Sequence, residues 1–238
     1  MSGRRIQTRI SRLFSSLLDP ALCSGCGHRL KPLHFFCPVC RSSLESVPNP
    51  CMLCGLTHQT DEPVCAACLY DPPRWQKMIA PLHYRNLSRD LLIQFKFNES
   101  LHLANTLVSG LIEYYRSDPA PQVLIPVPLH RRRLIARGYN QAFEIARILS
   151  RQLDIPVDTS ALQRIRYTER QMGLSALKRE RNIQSAFSYR SIAHYQHVAV
   201  VDDIVTTGST ANEITKTLHR AGVAEVEIWC LARVLIRS

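Results

Sequence analysis

Residues 200–210 read VVDDIVTTGST, and they divide into parts with separate chemistry. An apolar run from His197 to Val201 has the character of a buried strand, Asp202 and Asp203 follow it, and Thr206, Thr207, Gly208, Ser209 and Thr210 lead into a helical pattern over Thr210 to Ala221. A short turn of glycine and hydroxyl residues at a helix start exposes backbone N–H groups, which together with the helix dipole can hold a phosphate. Two adjacent carboxylates at a strand end can accept hydrogen bonds from vicinal hydroxyls or bind a divalent cation. Phosphate at one end and a diol at the other describe a ribose 5-phosphate. Asp203 and the threonines could instead simply cap the next helix. A receiver-type phosphoacceptor also puts an Asp pair after a strand, but it leaves Thr207 to Thr210 without a role.

Working outward, the chain from Met78 onward alternates strand and helix patterns. Strands are expected at Ile79 to Tyr84, Gln122 to Val127, His197 to Val201 and Glu225 to Leu231, and helices at Ser88 to Lys96, Leu101 to Arg116, Gly138 to Leu153 and Thr210 to Ala221. Such alternation implies an α/β fold with a parallel sheet flanked by helices. In sheets of that kind ligands sit beyond the carboxyl ends of the strands, which is where the Asp pair and the hydroxyl turn fall.

The amino-terminal part has a different logic. Eight of the nine cysteines form four pairs, Cys23/Cys26, Cys37/Cys40, Cys51/Cys54 and Cys65/Cys68, each pair spaced C-x2-C with ten residues between pairs. Two thiolates three positions apart can face one ion, and two such turns complete a four-sulfur zinc site. Cys26 and Cys54 are followed by Gly27 and Gly55, as a knuckle with positive φ requires, whereas Cys40 and Cys68 are not. The repeat is therefore 28 residues long: a glycine-ended knuckle, then a pair that can open a short helix. Sequential pairing into two structural Zn2+ sites follows, with a cross-braced arrangement as the alternative. A segment so poor in large apolar residues would draw most of its folding free energy from the metal. The expected organisation is a basic segment over 1–22, a zinc module over 23–75 and an α/β domain over 78–238. Cys230 reads as a buried strand residue, not a ligand.

The chain has 238 residues and a formal net charge of +11, with 45% hydrophobic residues, enough for a packed core. Of that surplus, +3 lies in residues 1–22, +1 in 23–78 and +7 in 79–238. Residues 131–181, with twelve Lys+Arg against five Asp+Glu, account for the whole of the last figure. No apolar run is long enough to span a bilayer. The first 18 residues show no small-residue cleavage site behind their broken apolar stretch, so a cytoplasmic protein is expected. Ile6, Ile10, Leu13, Leu17 and Leu18 lie at helical spacing among arginines. That pattern allows either packing on the protein or a peripheral contact with an anionic inner membrane.

Val200 to Thr210 resembles the phosphoribosyl pyrophosphate (PRPP) motif of type I phosphoribosyltransferases. The segment PVPLHRRRLIARGYNQ (126–141), together with Thr168, Gln171, Gly173 and Leu174, Arg181-Asn182, Ala186-Phe187, Leu91 to Phe97 and the fourfold C-x2-C array, is similar to the ComF family of competence and DNA-uptake proteins. The resemblance implies that Asp202 and Asp203 act on the ribose hydroxyls of PRPP and that Thr206 to Thr210 hold its 5-phosphate. Leu129, His130 and Arg131 would form the pyrophosphate loop, and residues 166–182 a flap that offers Arg170, Gln171 and Arg179 to the pyrophosphate. Mg2+ would accompany PRPP, and positive charge would stabilise the departing pyrophosphate. No segment reads as a nucleobase pocket. A second reading is therefore a non-catalytic protein that binds single-stranded DNA or serves DNA-uptake and recombination partners, with Tyr139, Phe143 and Tyr167 as stacking candidates.

Overall fold

The computed structural model describes residues 21–31, 36–97, 101–115, 119–166 and 183–235. The expected amphipathic helix over residues 4–18, Tyr167 and the flap residues Arg170, Gln171 and Arg179 lie outside these. The chain divides into two compact units, residues 1–44 and 45–238.

In the first unit, β1 (Ala21–Leu22) and β2 (Arg29–Leu30) pair antiparallel around the first knuckle, and α1 (Pro38–Ser42) follows Cys37. The knuckle is closed by the Gly27 N–H donating to the Cys23 carbonyl at 2.8 Å and the Cys23 N–H donating to His28 at 2.8 Å. Gly27 takes φ +73°, the left-handed conformation that only glycine adopts at little cost.

The second unit opens with the same device. Gly55 donates to Cys51 at 2.8 Å and Cys51 to Leu56 at 2.9 Å, Gly55 takes φ +66°, and α2 (Ala66–Tyr70) follows Cys65. The chain then enters β3 (Lys77–Ile79) and β4 (Leu82–His83). The single strand expected over Ile79 to Tyr84 is thus two, broken at Ala80-Pro81. Proline has no N–H to give the ladder, and the Pro81 carbonyl instead accepts from Val47 at 2.9 Å.

Next come α3 (Asn86–Phe97), α4 (Leu101–Tyr114), β5 (Val123–Pro126), α5 (Arg131–Arg137), α6 (Gln141–Leu153), β6 (Leu162–Arg164), β7 (Phe187–Tyr189), β8 (His197–Val205), α7 (Ser209–Arg220) and β9 (Glu225–Arg233). The main sheet runs β3-β9-β8-β5, with β4 continuing beside β9, and every pairing in it is parallel. The strand interiors are almost continuously apolar, as burial on both faces demands. Val198 to Val201 and Val226 to Ala232 are buried in succession, apart from the buried acid Glu227. Helices α4 and α6 pack together, α6 covers β5 and β8, and α7 lies against β7 and β9.

Three differences from the sequence expectation bear on the site. β8 does not stop at Val201 but continues to Val205, because β9 remains long enough to pair with Asp202, Ile204 and Val205 through Cys230, Ala232 and Arg233. Arg131–Arg137 forms a helix of its own, ended by Gly138 at φ +81°, so that α6 begins only at Gln141. An antiparallel pair, β6 with β7, flanks the basic stretch 167–182.

Leu149, fully buried on α6, tests this packing. Leu149→Ala should cost about 2–5 kcal/mol, read as a lower denaturant midpoint at unchanged slope; a loss below about 1 kcal/mol would be inconsistent with α6 closing the core.

Candidate functional site

The continuation of β8 places Asp202 and Asp203 within the strand, ahead of its end. Each carboxylate accepts from the following backbone N–H: the Asp203 amide donates to Asp202 Oδ1 and the Ile204 amide to Asp203 Oδ1, both at 2.8 Å. Lys96, near the end of α3, sets its Nζ 3.3 Å from Asp203 Oδ2. Two residues later in β8 the chain turns through Thr206 and Thr207 to Gly208, which caps α7 at φ +83°. The Thr207 and Ser209 hydroxyls are 2.8 Å apart, and the Ser209 amide donates to Thr207 Oγ1 at 3.4 Å. Thr210 lies in the first turn of α7. Thr206 to Thr210 thus form a glycine-capped helix start immediately beyond the acid pair.

Leu129 to Arg131 follow β5, the parallel neighbour of β8. Pro126 pairs with Val201, and the Val127 N–H donates to the Val201 carbonyl at 2.8 Å. The chain then leaves the sheet, and Leu129 and His130 lead into α5. His130 caps α5, its Nδ1 accepting from the Arg132 N–H at 3.3 Å, and Arg131 is the first residue of that helix. Asn140 caps α6 through Ala142 at 3.1 Å and donates to the Val127 carbonyl at 3.1 Å, which ties the start of α6 to the chain leaving β5.

Several cations that sequence reading did not select stand in the same neighbourhood. Lys96 is held by its own backbone: the Lys96 carbonyl accepts from Gln141 at 3.1 Å, and the Tyr139 hydroxyl donates to the Phe95 carbonyl. Tyr139 thus fastens the end of α3. Arg164 on β6 lies over the Phe187 ring at 5.5 Å. Burial, then Arg133, draw its guanidinium down to about 10, while Asp202 acts the other way. Arg164 therefore belongs to the electrostatic surroundings of Asp202, and Arg133 to those of Arg164. The signal for Lys96 was its position after Leu91, Leu92 and Phe95, the buried stripe of α3. For Arg164 there was only membership of the basic block.

Desolvation and the Asp203 carboxylate push Asp202 well above the usual carboxylate range, with Lys96 opposing them. The folded chain therefore holds this proton more tightly than the unfolded chain. Its contribution to stability is complete below the ordinary carboxylate value, about pH 4, and is lost as the pH rises through the folded value. Asp202→Asn keeps the acceptor for the Asp203 amide and removes the charge. In buffer without ligand or divalent cation it should raise the melting temperature at pH 8, with the gain vanishing toward about pH 4; an equal gain at both pH values would refute this electrostatic account.

The cysteines gather as Cys23, Cys26, Cys37 and Cys40 in one group and Cys51, Cys54, Cys65 and Cys68 in the other, the sequential arrangement, with all sulfurs of a group within 4.8 Å of one another. A Zn–S distance of about 2.3 Å gives tetrahedral S···S edges of about 3.8 Å. Cys26 and Cys37 stand 3.9 Å apart and Cys54 and Cys65 3.8 Å apart. Backbone N–H groups point at the sulfurs, Cys37 at Cys23 and Cys65 at Cys51, both at 3.3 Å. Burial raises Cys23 and Cys51, but these and neighbouring N–H groups outweigh it and bring them to about 6 and about 7. Burial and neighbouring thiols push Cys40 to about 12 and Cys68 further up, and burial foremost takes Cys54 to about 11. Four thiolates in so small a space need a cation, and both donor sets fit structural zinc. Metal analysis of the full chain should give two zinc ions; a value well under two would refute a pair of sites. Cys230 is fully buried on β9, apart from both groups.

Among the described residues no helix is long and apolar enough to cross a membrane. A model of the phosphoribosyl transferase domain matches residues 139–237. Competence protein F of Haemophilus influenzae is 39% identical over 83% of this chain and 90% of its own length. The DNA utilization protein YhgH of Escherichia coli K12 is 35% identical over 92% of this chain and its own whole length. Competence protein ComFC of Bacillus subtilis is 26% identical, with 82% of each chain covered. On the strength of these likenesses and of the parallel sheet with its two four-cysteine groups, the chain belongs to the ComF family of competence and DNA-utilisation proteins and carries a phosphoribosyltransferase-type domain.

Proposed function

We propose that this protein binds PRPP, or a closely related phosphorylated ribose, with Mg2+, in the service of natural transformation or the use of external DNA. The observation that carries the reading is the order along β8: an acid pair inside the strand, then a glycine-capped helix start within five residues of it. Thr206, Thr207, Ser209 and Thr210 supply hydroxyls, and the amides that follow Gly208 supply donors, for the 5-phosphate. Asp202 and Asp203 receive the ribose hydroxyls. Mg2+ would be held with the help of Asp202 and Asp203 and would supply charge neutralisation to the phosphate oxygens. Leu129 to Arg131 face the pyrophosphate, and Arg170, Gln171 and Arg179 are the flap groups that close on it.

Lys96 has a specific part in this scheme. Without ligand it neutralises Asp203, and with ligand it is placed to meet a phosphate oxygen or to keep Asp203 oriented for the ribose. The excess of cations about the acid pair suits a polyanion leaving the anomeric carbon under attack by an acceptor.

A second reading has one observation of its own. No residue of α5 is buried, and Arg131, Arg132, Leu134 and Ile135 are exposed together. A basic surface with apolar residues between suits single-stranded DNA.

Calorimetry with Mg·PRPP on the zinc-loaded full chain separates the two. Binding should be measurable and should weaken by about tenfold or more in Lys96→Met and in Asp203→Asn, the loss of one charge-assisted contact being worth about 1.5–3 kcal/mol. Absence of PRPP binding, with salt-sensitive binding of oligonucleotides that survives Asp203→Asn, would replace the first reading by the second.

A further inference from the structure

The two cysteine groups repeat the same local geometry, but the turn of the second is built into the sheet. At Gly27 an added Cβ would meet nothing within 4 Å, whereas at Gly55 it would lie 3.1 Å from Met78 Sδ and 3.2 Å from Ala80 Cβ. The Met78 N–H also donates to the Met52 carbonyl at 2.8 Å. From this turn two side-chain links run to the segment after β8.

The first link is Trp75, which is buried at 4% exposure. Its indole Nε1–H donates to the Leu53 carbonyl at 2.5 Å, and the far edge of its ring stands where a Cβ on Gly208 would be only 3.1 Å away. The ring therefore covers Gly208, and a side chain there would press on it. The second link is Arg233, also 4% exposed. Its Nε donates to the Cys54 carbonyl at 3.0 Å, and its Nη1 donates to the Val205 carbonyl at 3.1 Å and to Val234 at 3.3 Å. One guanidinium thus joins a carbonyl of the cysteine turn to the last carbonyl of β8, immediately before Thr206. Among the described residues no carboxylate pairs with Arg233, and the cysteine group whose turn it bonds lies within its electrostatic reach. Four thiolates around a divalent ion carry about −2 in all, which offsets a buried cation.

We propose that Trp75 and Arg233 are positioning residues through which the second cysteine group, Cys51, Cys54, Cys65 and Cys68, holds the turn Thr206–Thr210 in its anion-receiving form. The inference rests on the phosphate role proposed for that turn. The ion fixes the Cys51–Gly55 turn, the Leu53 and Cys54 carbonyls fix the indole and the guanidinium, and these fix Gly208 and Val205 on either side of Thr206 and Thr207. Loss or oxidation of the second site then releases the turn at both ends. Arginine is required at 233 because its planar fork spans two carbonyls that one ammonium cannot reach together.

Residue-resolved amide exchange on the zinc-loaded full chain tests this coupling. The reporters are Ser209 and Asn212, whose N–H groups donate to Thr207 Oγ1 and to the Gly208 carbonyl. Trp75→Phe, which keeps a ring but loses the indole N–H, and Arg233→Lys, which keeps the charge but loses the fork, should each speed exchange at these two amides by about tenfold. Zinc content and protection of β5 and the interior of β8 should stay as in the wild type. Chelating the metal from the wild type should release the same two amides. Unchanged exchange at Ser209 and Asn212 in both variants, or faster exchange spread evenly over the sheet, would overturn the coupling. In parallel, ribose 5-phosphate should bind the wild type and bind each variant about tenfold or more weakly, displaced contacts of this kind being capable of costing about 100-fold. If the wild type binds no ribose 5-phosphate, the phosphate role fails, while the exchange data still decide the coupling.

Discussion

The parallel ladder between His197–Val205 and Glu225–Arg233 governs where the functional groups of this chain stand. Because β9 offers partners as far as Arg233, β8 carries the acid pair inside the sheet and releases the chain only after Val205. The same register brings Arg233 to the end of β8, and on the other side of β8 the pairing with β5 runs as far as Pro126 opposite Val201. Had β8 stopped at Val201, the carboxylates would stand in a loop with no fixed spacing to Gly208. A fixed spacing between acid pair and helix start is what makes the pair a candidate site rather than two capping residues.

This placement has an electrostatic consequence. Asp202 lies beside Asp203 on the same strand. Lys96 and Arg164 come from α3 and β6, elements distant in sequence; Lys96 pairs with Asp203 and opposes the upward push on Asp202, while Arg164 is in turn favoured as a cation by Asp202. The arrangement is electrostatically strained, as sites built for charged ligands often are. The +11 of the sequence thus has a local meaning in the second unit: part of it is arranged around a half-buried acid pair.

The cysteine repeat shows how identical local chemistry takes on different tertiary roles. Both knuckles use a left-handed glycine, both open a five-residue helix, and both collect four sulfurs. Only at the second do the turn's carbonyls accept from Trp75 and Arg233, which makes that turn part of the framework around the end of β8. Metal at such a site supplies folding free energy that a short segment with little core cannot supply itself.

Much of this was legible in the residues. The C-x2-C spacing with its two following glycines favoured the sequential cysteine groups, since each knuckle closes locally, but only the structure decided against the cross-braced alternative. The order strand, acid pair, hydroxyl turn, helix also stood in VVDDIVTTGST, because those features follow from periodicity and glycine chemistry alone. The α5 helix was missed because RRRLIAR buries nothing and so has no apolar stripe to announce it. The length of β8 was misjudged because a strand's end depends on its neighbour, and Asp202 and Asp203 look like a stop until β9 is seen to pair past them. Lys96, Arg164, Trp75 and Arg233 could be assigned to the site only by the tertiary structure. Their roles depend on distances between segments far apart in the chain, and those distances are set by sheet register and helix packing, which no local pattern encodes.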